Sequence, residues 1–223
     1  CSSSITVAFG GRNALGTEEE WIDPKVYGLS GALRCYFNSK KQSETLALGW
    51  RAVETVVVNP DYIIGPWDVK PTSGQLILSM AKKGVPFFPQ GGKCFLGAKD
   101  CADGHIAAML HGQPGQRYLL GYHNLSYQEF METTAEIVGC KPPRWPLPTA
   151  ALGLASRLGS VAGRLSGGNS HRFAGLDEDV LRSMQQERYR SGEKMVRELG
   201  IQPRPIGESI EAAFRWFGQH GYC

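Results

Sequence analysis

Three consecutive valines, Val56-Val57-Val58, run straight into Asn59-Pro60. A strand covered on one face only would alternate apolar and polar residues. An unbroken β-branched run therefore reads as a strand buried on both faces, as in parallel sheets. A polar residue and a proline close it, at the end where open α/β sheets bind ligands. The strand is expected over Thr55–Asn59, followed by a loop through Pro60, Pro66 and Pro71.

Upstream, Tyr36-Phe37-Asn38-Ser39-Lys40 places a phenol and an ammonium four residues apart. On a helix, expected from about Leu33 to Trp50, positions i and i+4 share one face, so both polar tips reach a single site. A lysine beside a tyrosine favours the tyrosinate and so suits general acid/base work. A hydroxyl from the serine run Ser2-Ser3-Ser4 would hydrogen-bond a carbonyl or alcohol while the tyrosine moves its proton. That trio suits oxidation and reduction at a carbon bearing oxygen. On its own, the pair is equally what a surface helix with a half-buried tyrosine would carry.

Several ordered markers go further: the serine run, Tyr36 and Lys40 with Glu44 after them, and Val58-Asn59-Pro60 leading to Ile64-Gly65-Pro66-Trp67-Asp68-Val69-Lys70-Pro71-Thr72. Beyond these stand Gly91-Gly92, Asp100-Cys101-Ala102-Asp103-Gly104-His105, Gly115 to Gly121, and Glu198-Leu199-Gly200. With them the chain resembles the C-terminal two-thirds of an extended short-chain dehydrogenase/reductase of the NAD-dependent epimerase/dehydratase branch. Within it, the chain is similar to dihydroflavonol-reductase-like proteins and hopanoid-associated sugar epimerases.

The resemblance implies an α/β fold: the C-terminal part of a Rossmann-type doubly wound parallel sheet, with a smaller, mostly helical substrate-binding region. It implies a boundary near residue 60. Residues 1–60 would complete the NAD(P)-binding domain and carry the catalytic residues; 61–223 would bind substrate and return elements to the sheet. It further implies an enzyme that uses NAD or NADP on a small-molecule substrate, a nucleotide sugar or a flavonoid-like carbonyl or alcohol. Tyr36 would be the catalytic acid/base, Lys40 the residue holding the nicotinamide ribose, and Ser4 (Ser3 if the register slips) the group orienting the reacting oxygen. Asn59 and Pro60 would border the nicotinamide. Trp67, Lys70, Phe87, Phe88 and Arg144 offer stacking surface or charge as substrate contacts. A homodimer is left open.

Two departures qualify the match. Gly97 stands where relatives carry an aspartate in a short strand. The dinucleotide fingerprint G-x-x-G-x-x-G does not occur in these residues, and Gly10-Gly11 is no substitute, with neither an apolar strand before it nor a helical pattern after it. With Cys1 at its start, the chain is expected to be an incompletely covered one. The alternative is a non-catalytic fragment or binding module that needs a separate nucleotide-binding half.

At 223 residues and 42% hydrophobic, the chain can bury a sizeable core. A net charge of +3 with spread basic residues gives no nucleic-acid footprint. Arg182, Arg188, Arg190, Lys194 and Arg197 interleave with Glu178, Glu187, Glu193 and Glu198, which reads as a solvated helical face. No apolar run has membrane-spanning length. Six cysteines without C-x-x-C pairing give no metal spacing and read as reduced thiols of a cytoplasmic protein.

Helices are expected over Gln75–Lys83, from Asp100 as a cap through Leu110, over 127–138 behind the capping box Ser126-Tyr127-Gln128-Glu129, and from Ser191 to Leu199. Arg117–Gly121 reads as a short strand. Ile210, Ala213, Phe214 and Phe217 give the last helix one apolar face. Between these lie an apolar, glycine-interrupted stretch at 149–165 and a Gly167–Ser170 joint.

Overall fold

A computed structural model describes residues 6–23, 25, 31–50, 52–147 and 183–223. The serine run with Ser3 and Ser4, the stretch 149–165 and the Gly167–Ser170 joint lie outside the described residues. The described elements are α1 (Gly31–Gly49), β1 (Val57–Pro60), β2 (Tyr62–Ile64), α2 (Gln75–Lys83), β3 (Phe87–Phe88), β4 (Gly92–Gly97), α3 (Ala98–His111), β5 (Arg117–Leu120), β6 (His123–Ser126), α4 (Tyr127–Val138), β7 (Trp145–Pro146), β8 (Glu187–Arg188), α5 (Glu193–Leu199) and α6 (Ile206–Gln219).

The valine run does what its pattern dictates. β1 pairs in parallel with β5, in register from Val57 opposite Arg117 to Pro60 opposite Leu120. Both faces of the pair are covered. Val58, Tyr118 and Leu120 pack with Cys101 and Ala108 of α3 and with Met195 and Leu199 of α5. Leu119 turns to the other side, into a cluster with Val7, Phe9, Ile22 and Phe37 of α1. A parallel ladder with helices on both faces is the Rossmann-type α/β arrangement.

A second, mixed sheet centres on β4. It runs parallel to β2 and β8 and antiparallel to β6. Its successive residues point opposite ways: Leu96 joins the α3/α5 side, while Phe95 stacks on Phe130 of α4 at 4.4 Å between ring centroids. Around Phe130 collect Ile77 and Met80 of α2 and Ile210, Ala213 and Phe217 of α6, all fully buried. Gly97 has a packing reason: a Cβ there would lie 2.3 Å from Ser209 Oγ of α6.

Helix ends follow local chemistry. At α4 the Ser126 hydroxyl accepts from Glu129 N–H while the Glu129 carboxylate accepts from Ser126 N–H, and Gly139 stops the helix in the left-handed region. α2 matches its predicted span, Gln75–Lys83, to the residue. The expected cap at Asp100 is wrong. α3 starts at Ala98, and Asp100 is buried within its first turn, where its carboxylate pairs with Arg204 and accepts Arg204 N–H at 3.0 Å. Arg188 and Arg190 are not on a solvated helical face either. They sit in β8 and the bridge after it, both buried, and α5 begins only at Glu193.

Candidate active site

α1 is amphipathic in an unusual way. Leu33 and Phe37 meet the apolar cluster beneath it, but the residue two turns on at the same face is Glu44, fully buried. Beside this stripe stand Tyr36, 42% exposed, and Lys40, partly buried. The i, i+4 spacing brings them together: Lys40 Nζ lies 5.8 Å from the Tyr36 ring centroid. The Tyr36 ring also meets Phe37 edge-on at 5.5 Å. Among the described residues Lys40 forms no ion pair.

Glu44 anchors the helix to the sheet. Arg117 Nε of β5 donates to Glu44 Oε1 at 2.6 Å, Nη1 to the Glu18 carbonyl at 2.8 Å, and Nη2 to Thr6 Oγ1 at 2.9 Å. Thr6 Oγ1 donates in turn to Glu44 Oε2. Asn59, fully buried in β1, donates from Nδ2 to Glu44 Oε2 at 3.0 Å and to Thr6 Oγ1 at 3.3 Å. The Trp21 ring covers the Arg117 guanidinium at 3.8 Å. Glu18 accepts Leu119 N–H at 2.8 Å, and burial raises its carboxyl pKa. A buried ion pair holds well only when its remaining donors and acceptors are met, and here most are. The network fixes α1, and with it Tyr36 and Lys40, against the C-terminal half of β1.

Behind the end of β1 lies a second polar group. Asp61, directly after Pro60, pairs with Arg190, whose Nε donates to the Val7 carbonyl at 3.2 Å. Asn124 grips the Arg190 backbone from both sides, at 3.0 and 2.8 Å. Arg190 Nη2 is buried without a partner among the described residues. The Arg188 guanidinium lies 4.6 Å over Phe9 and 5.5 Å from Phe37, and so reaches the underside of α1. Lys93 of β4 sits over Tyr62 at 5.8 Å. Burial first, then the Arg188 charge, pulls its ammonium pKa well below the ordinary lysine value. Burial, with Asp68 and Asp61, pushes Tyr62 up to about 12.

The expected site residues thus fall as follows. Tyr36 and Lys40 share a face of α1. Asn59 is tied to that helix through Glu44, and Pro60 follows it at the end of β1. Ser4 lies outside the described residues, two positions before Thr6, which is itself in the network. Trp67 is exposed with φ at 72°. Lys70 is exposed, and Phe87, Phe88 and Arg144 lie around the β3–β7 pair. Sequence reasoning missed the Glu44–Arg117 pairing and the Asp61–Arg190–Arg188–Lys93 group. The available signal was a charge, Glu44, inside the apolar stripe of a helix. No cluster of three or more His, Cys, Asp or Glu side chains fit to hold a metal occurs among the described residues.

No protein-family model matches the chain. It is 31% identical, over 99% of its length, to a Synechocystis sp. protein provisionally named a dihydroflavonol 4-reductase, and spans 64% of that relative. Its fold matches a nucleoside-diphosphate-sugar epimerase from Pseudomonas aeruginosa with a TM-score of 0.74 and 23% identity, covering 99% of this chain and 66% of that one. RMD from Pseudomonas aeruginosa, solved with NADPH, matches at a TM-score of 0.65 and 18% identity, covering 98% and 65%. A dTDP-glucose 4,6-dehydratase from Bacillus anthracis, solved with NAD, matches at 0.65 and 15%, covering 98% and 60%.

Proposed function

We propose that the chain, which is similar to NAD-dependent epimerase/dehydratase and dihydroflavonol-reductase-like proteins, is an extended short-chain dehydrogenase/reductase that acts at a carbonyl or alcohol carbon with Tyr36 as acid/base. The observation that carries this reading is the pairing of Tyr36 and Lys40 on the one face of α1 that the Glu44–Arg117 network locks to the sheet.

The Tyr36 phenol exchanges a proton with the substrate oxygen, and its exposure leaves room for one. Lys40, without an ion-pair partner among the described residues, is free to hold the ribose hydroxyls. Ser4 orients the reacting oxygen, and Asn59 and Pro60 border the nicotinamide ring. NAD or NADP supplies the hydride when bound. A nucleotide sugar would call for cations near its diphosphate; a flavonoid-like substrate would rely on aromatic contacts. Among the described residues five cysteines are free, which suits a cytoplasmic setting.

Fluorescence titration with NADH and NADPH tests the reading. Saturable binding that weakens when Lys40 becomes Met supports it; binding that ignores Lys40→Met counts against it. The absence of G-x-x-G-x-x-G from these residues keeps a second reading in view, a module that needs a partner to supply the nucleotide half. A folded chain that binds neither nucleotide favours that one.

A further inference from the structure

Away from Tyr36, α2 and α4 both end beside the two-residue ribbon of β3 and β7. Between them opens a groove of about 630 Å³, lined by Pro86, Pro142, Lys83, Lys141, Arg144 and Trp145 among others. Among the described residues no acidic side chain lines it. None of its three cations forms an ion pair among the described residues, whereas Arg12, Arg117, Arg190, Arg204 and Arg215 all do. Phe87 faces Trp145 across the parallel ribbon, so the two rings leave it on the same side, 42% and 62% exposed.

The sequence around the groove is one-sided in charge. From Ile137 to Leu147 it holds no Asp or Glu but carries Lys141 and Arg144. Unpaired cations thus border a paired aromatic surface in an acid-free stretch of chain. A soluble anion would be held by buried donors, and here every cationic lining side chain is exposed. Exposed cations beside exposed aromatic rings instead match a membrane interface, with rings at headgroup depth and charges on the lipid phosphates.

We infer that this groove docks the protein on an anionic lipid bilayer. The inference stands apart from the proton chemistry at Tyr36. The test is co-sedimentation of the whole chain with vesicles of mixed phosphatidylglycerol and phosphatidylcholine, against phosphatidylcholine alone. The mixed vesicles bind the chain and release it in high salt. Each cation changed to Ala lowers the partition coefficient about fivefold, so Lys83→Ala, Lys141→Ala and Arg144→Ala together cost roughly a hundredfold. Trp145→Ala weakens binding but leaves its salt dependence. Arg215→Ala, a cation already paired with Glu211 on the surface of α6, changes nothing. Equal binding to neutral vesicles, binding to neither kind, or a triple variant that partitions like wild type overturns the inference. So does saturable inorganic phosphate binding, lost in the triple variant, without vesicle association; that would assign the groove to a soluble anion.

Discussion

Around α1 the chain buries Glu44, Arg117, Thr6, Asn59 and Glu18 against one another, under a helix that leaves Tyr36 in solvent. Beneath α4 and α6 it buries Phe95, Phe130, Met131, Ile210 and Phe217 with hardly a polar atom among them. The apolar core is held by area and shape, which resist unfolding but specify direction loosely. The polar edge is held by directional bonds, each with one productive geometry. A helix proposed to present a phenol and an ammonium to a substrate gains from the second kind of support. A scaffold gains from the first.

The comparison is tested most severely by Arg117→Met. Removing one partner strands Glu44 in the interior, at a cost of about 3–5 kcal/mol in urea unfolding. Adding Glu44→Leu recovers much of that loss, because the uncompensated charge goes too. A double variant less stable than the single would show that the network contributes more than orientation. Phe130→Ala costs a similar 3–5 kcal/mol through the cavity it opens, and no second substitution of this kind rescues it.

A smaller effect comes from Lys93, the one ionisable side chain in the mixed sheet with a strongly lowered pKa. Between its folded-state pKa and 10.5 the unfolded chain binds more protons, so wild-type stability rises with pH across that window. Lys93→Met lacks this slope. It should melt higher than wild type near neutrality, with a lead that shrinks as the pH approaches 10.5. A constant lead would place the strain elsewhere. Ser126→Ala is the mildest change: about 1 kcal/mol from the cap of α4.

What the sequence revealed divides along the same line. α2 and α4 were legible to the residue, since apolar spacing, a capping box and stop glycines are local signals. β1 was legible from its valines, shifted by a residue or two. Tyr36 and Lys40 were legible because i, i+4 is local as well. β2 and β8 were not, being two or three residues long, and β4 hides between glycines with only Cys94, Phe95 and Leu96 as apolar content. The polar edge was hidden for a different reason. Glu44 finds Arg117 73 positions away, Asp61 finds Arg190 129 away, and Asp100 finds Arg204 104 away. Charges so far apart in sequence read as solvent-facing until the fold pairs them.

The central claim is that α1 is held rigid so that Tyr36 can move a proton. It is met most directly by Tyr36→Phe in NADPH- and NADH-dependent turnover, with a panel of dihydroflavonols, nucleotide sugars and simple ketones. The account predicts that turnover falls by roughly a hundredfold to ten-thousandfold. Nucleotide affinity and the unfolding midpoint should stay near wild type, because the ring remains and only the exposed hydroxyl is lost. Turnover retained by the phenylalanine variant would contradict it, and the polar edge would then be holding α1 for some other purpose.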